Sequence, residues 1–368
     1  MAARRLPLWV DIGLLPLLNL LLAFLVSGVV VLLIGEDPLE ATRLLIFGAF
    51  GYGEAVGYTL YYATDFIFAG LAVAVAFHAG LFNIGGEGQA AFGGLGAALV
   101  AIYLAWLPWP IGILLAIVAA AVFGGVWGFI PGWLQARRGS HVVITTIMLN
   151  FVASALMTYL MVQVLIKPGQ SSPETVTFAT SMWIAELPPL LKPAGIDLGS
   201  APVNLSLFIS LLCCVGFWLF VWKSREGYDL RVVGRSEAAA VYGGISPARV
   251  IMLAMTISGA LAGLIALNEV LGAQHRLLLG FTGGAGFVGI AVALMGRNHP
   301  VGIILAAVLF GALYQGGAEL AFDMPRVSRD LVVVIQGVVI LFAGALEHMF
   351  RPQVEALFSR RTLQPAPA

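Results

Sequence analysis

Charge is scarce in this sequence. Of 368 residues, 19 are Lys or Arg and 19 are Asp or Glu, together 10% of the chain. An average soluble domain carries about a quarter. So few charges cannot cover a water-facing surface when 60% of the residues are hydrophobic, and the mean hydropathy of +0.97 agrees. A soluble enzyme is excluded. Nothing suggests a nucleic-acid binder either, because Lys and Arg are balanced by Asp and Glu.

Cysteine is almost missing. Cys213 and Cys214 are adjacent within an apolar run, which reads as packing rather than a disulfide or a metal site. Nucleotide and catalytic signatures are missing as well. No stretch fits GxxxxGK[ST], since Lys223–Ser224 follow Trp222 rather than glycine. There is no HExxH, no paired Cys-x-x-Cys and no Ser–His–Asp arrangement. The chain is expected to be no enzyme, to hold no cofactor or metal, and to hydrolyse no ATP itself.

Long apolar runs are abundant. A membrane span needs roughly 20 apolar residues, and ten stretches qualify: 13–34, 65–80, 90–107, 111–135, 142–166, 205–222, 250–271, 281–295, 301–320 and 331–347. The expected fold is all-α, a polytopic membrane protein of about ten transmembrane helices. The first run is too long for a signal-peptide core and lacks a clear cleavage site, so it reads as a retained span. Residues 41–64 hold Arg43, Glu54 and several Gly and Tyr, and are expected to lie as a helix on the outer surface. The abundant glycine, 44 residues, suits close helix packing in lipid.

The positive-inside rule orients these spans. With the N-terminus in the cytoplasm and ten crossings, only Arg43, Lys167, Lys192, Arg276, Arg326 and Arg329 fall outside. Both termini are then cytoplasmic. The chain reads as one permease-like membrane domain over 1–350 with a cytoplasmic tail, 351–368. An external loop covers 167–204 and a cytoplasmic loop covers 223–249. Ten spans divide as five plus five, and an odd-numbered repeat must insert its second copy inverted, which permits an inverted repeat.

Polar residues inside such a chain need reasons. The segment 80–89, GLFNIGGEGQ, places Asn83, Glu87 and Gln89 among glycines on the cytoplasmic side, without a Lys or Arg. Two readings stand. It is a broken helix beside a translocation path, covered by protein or a watery cavity, or a tight hairpin with Glu87 solvated. Asn83 can cap the helix that follows. Glu87 in lipid would cost roughly 2.5–3.5 kcal/mol. Asn150 within 142–166 suits an interhelical hydrogen bond. Asn268, Glu269, Gln274, His275 and Arg276 end the seventh span on the outer side, as a pathway mouth or a polar belt. Ser236 is a plausible N-cap for a short helix, EAAAVY, stopped by Gly243 and Gly244.

Four stretches in order resemble one family: AGLAVAVAFHAGLFNIGGEGQ, VVITTIMLN, GRSEAAAVYGGI with SGALAGL, and GFVGIAVALMGRNHPVG. Together they resemble the permease subunit of bacterial ABC importers for simple sugars, nucleosides and branched-chain amino acids, over about 39–347. The resemblance implies an architecture similar to vitamin-B12-type importer permeases, in the cytoplasmic (inner) membrane. It implies a separate cytoplasmic ATP-binding subunit that carries ATP and Mg, a second and different permease, and an external substrate-binding (lipo)protein. The path residues it favours are Asn83, Glu87, Gln89, Asn150 and Glu269. The loop after the sixth span becomes a coupling helix, with Arg235, Glu237, Ala238, Gly243 and Gly244 toward the ATPase. Two positions depart from the pattern: His141–Val142 replace an acid, and Val288 stands where nucleoside-type relatives often have Asp. The solute therefore stays open between a nucleoside and a simple sugar. The competing class is a stand-alone secondary transporter or channel, which needs a carboxylate at mid-membrane; Glu87 is the one the sequence offers.

Overall fold

The computed structural model describes residues 15–167, 169–324, 326–327, 332–335 and 337–338. The tenth expected span, 331–347, and the tail lie largely outside them. Among the described residues the secondary structure is helical, with only isolated bridges Glu174–Leu278 and Glu186–Asn204.

The chain forms two compact units, Met1–Gly48 with Gln315–Ala368, and Ala49–Tyr314. In the first, α1 (Leu15–Leu33) turns through Gly35, which is left-handed at φ 88, into α2 (Pro38–Phe50). The two helices bend by 119°. Asp37 receives the Leu39 N–H at 2.8 Å and so starts α2. Val31 and Ala41 pack with Leu320, Met324, Val327, Val332 and Ile335.

The second unit contains α3 (Gly53–His78), α4 (Gly86–Tyr103), α5 (Trp109–Arg138), α6 (Val142–Tyr159), α7 (Pro188–Leu191), α8 (Ser206–Lys223), α9 (Arg225–Arg235), α10 (Glu237–Tyr242), α11 (Pro247–Gly263), α12 (Ala285–Met295) and most of α13 (Pro300–Asp323). α6 and α11 are extended by π-helical turns, Leu160–Val164 and Leu267–Ala273. α5 shows why these boundaries fall where they do. Pro108 and Pro110 set its start. Gly139, left-handed at φ 69, ends it by bonding back to Gln135 O, and Arg137 and Arg138 sit in the last turn, where cations are favoured.

The core of this unit is a glycine seam. Gly124 and Gly128 of α5 face Gly259 and Gly263 of α11, each pair spaced by four residues on one helix face. A Cβ at Gly124 would lie 2.4 Å from Gly259 O, and one at Gly128 2.5 Å from Met255 O. Gly93 of α4 meets Gly263 at 2.3 Å by the same measure, so three helices share the seam.

Among the described residues, six helices are long and apolar enough to cross a membrane: α3, α5, α6 with its π-turn, α8, α11 with its π-turn, and α13. Counting the bent α1–α2 pair as one span makes seven. The expected spans 90–107 and 281–295 do form helices, α4 and α12, but neither is among the six. α12 has 11 residues, about 16 Å, half of a ~30 Å hydrocarbon layer. Residues 41–64 form no single surface helix. They divide at Gly51–Tyr52, and 53–64 are the first half of α3. Asp65, where the sequence reading begins its span, is buried midway along α3.

Two loops are more ordered than their composition implies. Residues 169–204 form a cap held by backbone bonds Thr175 N to Leu277 O, Phe178 N to His275 O and Ile184 N to Leu271 O. Leu187, Leu198, Ala201 and Val203 of the cap pack on Tyr61 of α3. The 223–249 loop is largely helical. Ser224 caps α9 by accepting the Gly227 N–H at 2.9 Å, and Gly227, Leu230 and Val233 bury one stripe of it.

Candidate functional site

The segment 80–89 is built by glycine geometry. α3 closes with Gly80 N bonded to Phe77 O and Leu81 N to Ala76 O, and Gly80 is left-handed at φ 72. This turn touches α9. A Cβ on Gly234 would lie 2.2 Å from His78 O, so backbone meets backbone there. Residues 81–84 form no regular element, and α4 starts at Gly86 with Gly85 at its N-cap. The segment is not a solvated hairpin, because each of its polar side chains is bonded into the protein.

Asn83, 1% exposed, sits at the centre. Its Oδ1 accepts from Gly85 N at 2.8 Å and from Gln89 Nε2 at 3.2 Å. Its Nδ2 donates to Gln89 Oε1 at 2.9 Å and to Ser258 Oγ at 2.8 Å. Ser258 passes its own proton to Ala72 O at 2.5 Å. Asn83 therefore closes a turn and links α3, α4 and α11. It does not reach the second or third N–H of α4, as an N-cap would.

Glu87 points the other way. Its Oε1 accepts from Thr282 Oγ1 and from Gly284 N at 3.0 Å, and its Oε2 accepts from Gly286 N at 3.0 Å. A carboxylate placed on the unpaired N–H groups at the start of α12 satisfies those donors and the helix dipole together. Glycine makes the approach possible: a Cβ on Gly286 would fall 2.3 Å from Glu87 N.

Beside Glu87 lies a cavity of about 190 Å³, lined by Glu87, Gly88, Ala91, Asn150, Ala153, Ser154, Met157, Thr158 and 278–282. Asn150 forms part of its wall and ties it together. Asn150 Oδ1 accepts from Gly88 N at 3.0 Å and Asn150 Nδ2 donates to Ile84 O at 2.9 Å. Of the sequence-predicted path residues, the structure brings Glu87 and Asn150 onto this cavity. It buries Asn83 and Gln89 behind it.

Glu269 stands elsewhere, in the π-turn after α11. Its Oε1 accepts from Tyr61 OH at 2.5 Å. The neighbouring Asn268 is fully buried. It donates to Tyr61 O at 3.0 Å and accepts from Asn204 Nδ2 at 2.9 Å and Ser206 Oγ at 3.1 Å. Sequence reading missed Asp65 as a functional candidate. Its signal was an acid inside the apolar run YATDFIF. Ser154, Thr158 and Thr282, which face the cavity, were missed too. Hydroxyls are too common in such helices to mark a wall.

At another face, α10 follows α9 directly. Ser236 Oγ accepts from Ala239 N at 3.3 Å, Gly243 N bonds Ala239 O, and Gly244 is left-handed at φ 78. Arg235, Glu237, Ala238, Gly243 and Gly244 are exposed, and in α10 only Ala240 is buried. Tyr242, 97% exposed, and Val241 stand out from it. The outcome is a short capped helix presenting a mixed apolar and charged surface.

Comparison with known proteins adds a family. The model described as branched-chain amino acid transport system / permease component matches residues 55–344. The glucose ABC transporter permease protein TsgB13 of Haloferax volcanii is 34% identical over 97% of this chain and 93% of that protein. The guanosine ABC transporter permease protein NupP of Bacillus subtilis is 36% identical over 90% of this chain and 93% of that one. The nucleoside ABC transporter permease protein NupB of Lactococcus lactis is 32% identical, over 89% and 90%.

Proposed function

The chain belongs to the branched-chain amino acid transport system permease component family, and we propose that, as a permease subunit of an ABC importer, it forms the membrane path for a nucleoside or a simple sugar. The observation that carries this beyond the family is the cavity at Glu87. Its wall offers hydroxyls from Ser154, Thr158 and Thr282 and the Asn150 amide, beside Met157, Leu278 and Phe281. That mixture suits a solute with hydroxyls and a flat or ring face. At about 190 Å³ it is smaller than the ~300–1,000 Å³ of ligand pockets, which fits a constricted stretch of a path.

ATP and Mg belong to a separate cytoplasmic ATP-binding subunit that docks on α10 through Arg235, Glu237, Ala238, Gly243 and Gly244. A second permease, a different chain, completes the path. An external substrate-binding (lipo)protein delivers solute on the side of the 169–204 cap. In this reading the protein lies in the cytoplasmic (inner) membrane with both termini inside. It has ten membrane segments in a five-plus-five arrangement like that of vitamin-B12-type permeases, with α4 and α12 as partial spans. The named relatives support both solute classes, glucose for one and guanosine or nucleosides for two.

Ser154→Phe tests the path. A bulky ring there fills the cavity from α6. Uptake of labelled guanosine or glucose should be lost while the amount of protein in the membrane is kept. Undiminished uptake by a normally abundant variant would move the path elsewhere.

A further inference from the structure

Glu87 is the charged group on the cavity wall. It shares that wall with the Asn150 amide and the hydroxyls of Ser154, Thr158 and Thr282, and no Lys, Arg or His lines the cavity among the described residues. Both Glu87 oxygens accept hydrogen bonds, Oε1 from Thr282 Oγ1 and Gly284 N, and Oε2 from Gly286 N. Acceptance at both oxygens is the pattern of a carboxylate rather than an acid. A carboxylate has about four acceptor places, so one on Oε2 remains for a solute.

Two helix starts hold this charge. Glu87 lies in the first turn of α4, while Gly284 is the N-cap of α12 and Gly286 its second residue. The two helices therefore meet start to start around one carboxylate. Each helix start carries about half a positive charge, so two of them balance Glu87. An uncharged solute in the cavity then meets little net charge. An anion is treated differently. It must shed its water in a low-dielectric interior, the helix starts are already occupied by Glu87, and the wall offers no cation. Donors that could replace its water are engaged as well. Thr282 Oγ1 donates to Glu87, Thr158 Oγ1 to Ser154 O and Asn150 Nδ2 to Ile84 O.

We propose that Glu87 sets the charge class of the solute: the cavity admits uncharged molecules that carry O–H or N–H donors and refuses their phosphorylated forms. The inference rests on the reading of the cavity as the path, and it makes nucleosides and free sugars passable but nucleotides and sugar phosphates not. Without the Glu87 charge the same two helix starts would face the cavity unbalanced, with about one positive charge between them. Refusal would turn into attraction. The filter belongs to this chain and acts whatever protein delivers the solute.

The test is saturation-transfer NMR on the full-length chain in phosphatidylcholine nanodiscs at neutral pH. The probes are two pairs, guanosine with guanosine monophosphate and glucose with glucose phosphate. The wild type should give a signal from at least one neutral probe and none from its phosphorylated partner. Glu87→Gln, or Glu87→Ser where the amide variant does not fold, should strengthen binding of the phosphorylated partner about ten-fold or more. Glu87→Asp keeps the charge and should go on refusing it. Ser154→Phe should abolish the neutral signal, which assigns that signal to the cavity. A wild type that takes the phosphorylated probe as readily as the neutral one overturns the proposal. So does an uncharged variant that still refuses it. With the neutral signal lost in Ser154→Phe, either result leaves the path reading standing. A neutral signal that is absent, or that survives Ser154→Phe, instead removes the cavity as the path and the proposal with it.

Discussion

Asn83 and Glu87 lie four residues apart and act on different parts of the protein. Asn83 fixes a buried turn with four hydrogen bonds. Asn83→Ala would orphan Gly85 N, both ends of the Gln89 amide and Ser258 Oγ as an acceptor, and each unsatisfied buried group costs about 1–3 kcal/mol. Membrane abundance and uptake should therefore fall together, as immunoblotting beside an uptake assay would read. Glu87→Gln keeps the shape, but it places an amide NH₂ against a backbone N–H where Gly286 or Gly284 now meets a carboxylate oxygen. The α12 start should loosen, lowering uptake several-fold with abundance nearly unchanged; a parallel loss would make Glu87 structural only. The sequence showed that these polar residues needed an explanation. It could not show the partners, because Thr282 and Ser258 lie 195 and 175 residues away and no local pattern encodes such pairs.

At the scale of elements, glycine decides which helices approach. The four-residue spacings Gly124–Gly128 and Gly259–Gly263 are visible in the sequence, but with 44 glycines in the chain spacing alone does not select a partner. In the structure α5 and α11 meet along those faces. Gly263→Leu, whose Cβ alone would fall 2.4 Å from Ala120 O, should force the helices apart and sharply lower the melting temperature. Gly216→Ala is the contrast. Nothing lies within 4 Å of a Cβ there, and Ala favours a helix by about 1 kcal/mol over Gly, so its melting should be level or raised. Fluorescence-detected melting of both variants checks the pair. Hydropathy marked α4 and α12 as spans because it measures composition. The glycine content of α4 and the 11-residue length of α12 set them apart. Hydropathy likewise began a span at Asp65, although α3 already starts at Gly53.

For the whole molecule, α10, α9 and the 80–89 segment form a continuous backbone line. α10 follows α9 at Ser236, and Gly234 of α9 touches His78 O and Gly80 at the entrance to the segment that carries Asn83 and Glu87. A push on α10 therefore reaches the cavity wall without a flexible side chain in between. Gly234→Val should break that line, leaving ATPase binding intact while uptake drops. Glu237→Arg should do the reverse at its first step, weakening ATPase co-purification with membrane abundance unchanged. The short helix and its cap were legible from Ser236, Glu237 and the two glycines. α9 was not, because its charged residues read as loop until Leu230 and Val233 are seen to pack.

The central claim, that this chain is one subunit of an ATP-driven importer, is met most directly by purifying it from native membranes and identifying by mass spectrometry what accompanies it. The account predicts an ATP-binding subunit, a second permease and an external binding protein, with the ATPase lost from the Glu237→Arg preparation. A chain that purifies alone and moves solute without ATP would contradict it.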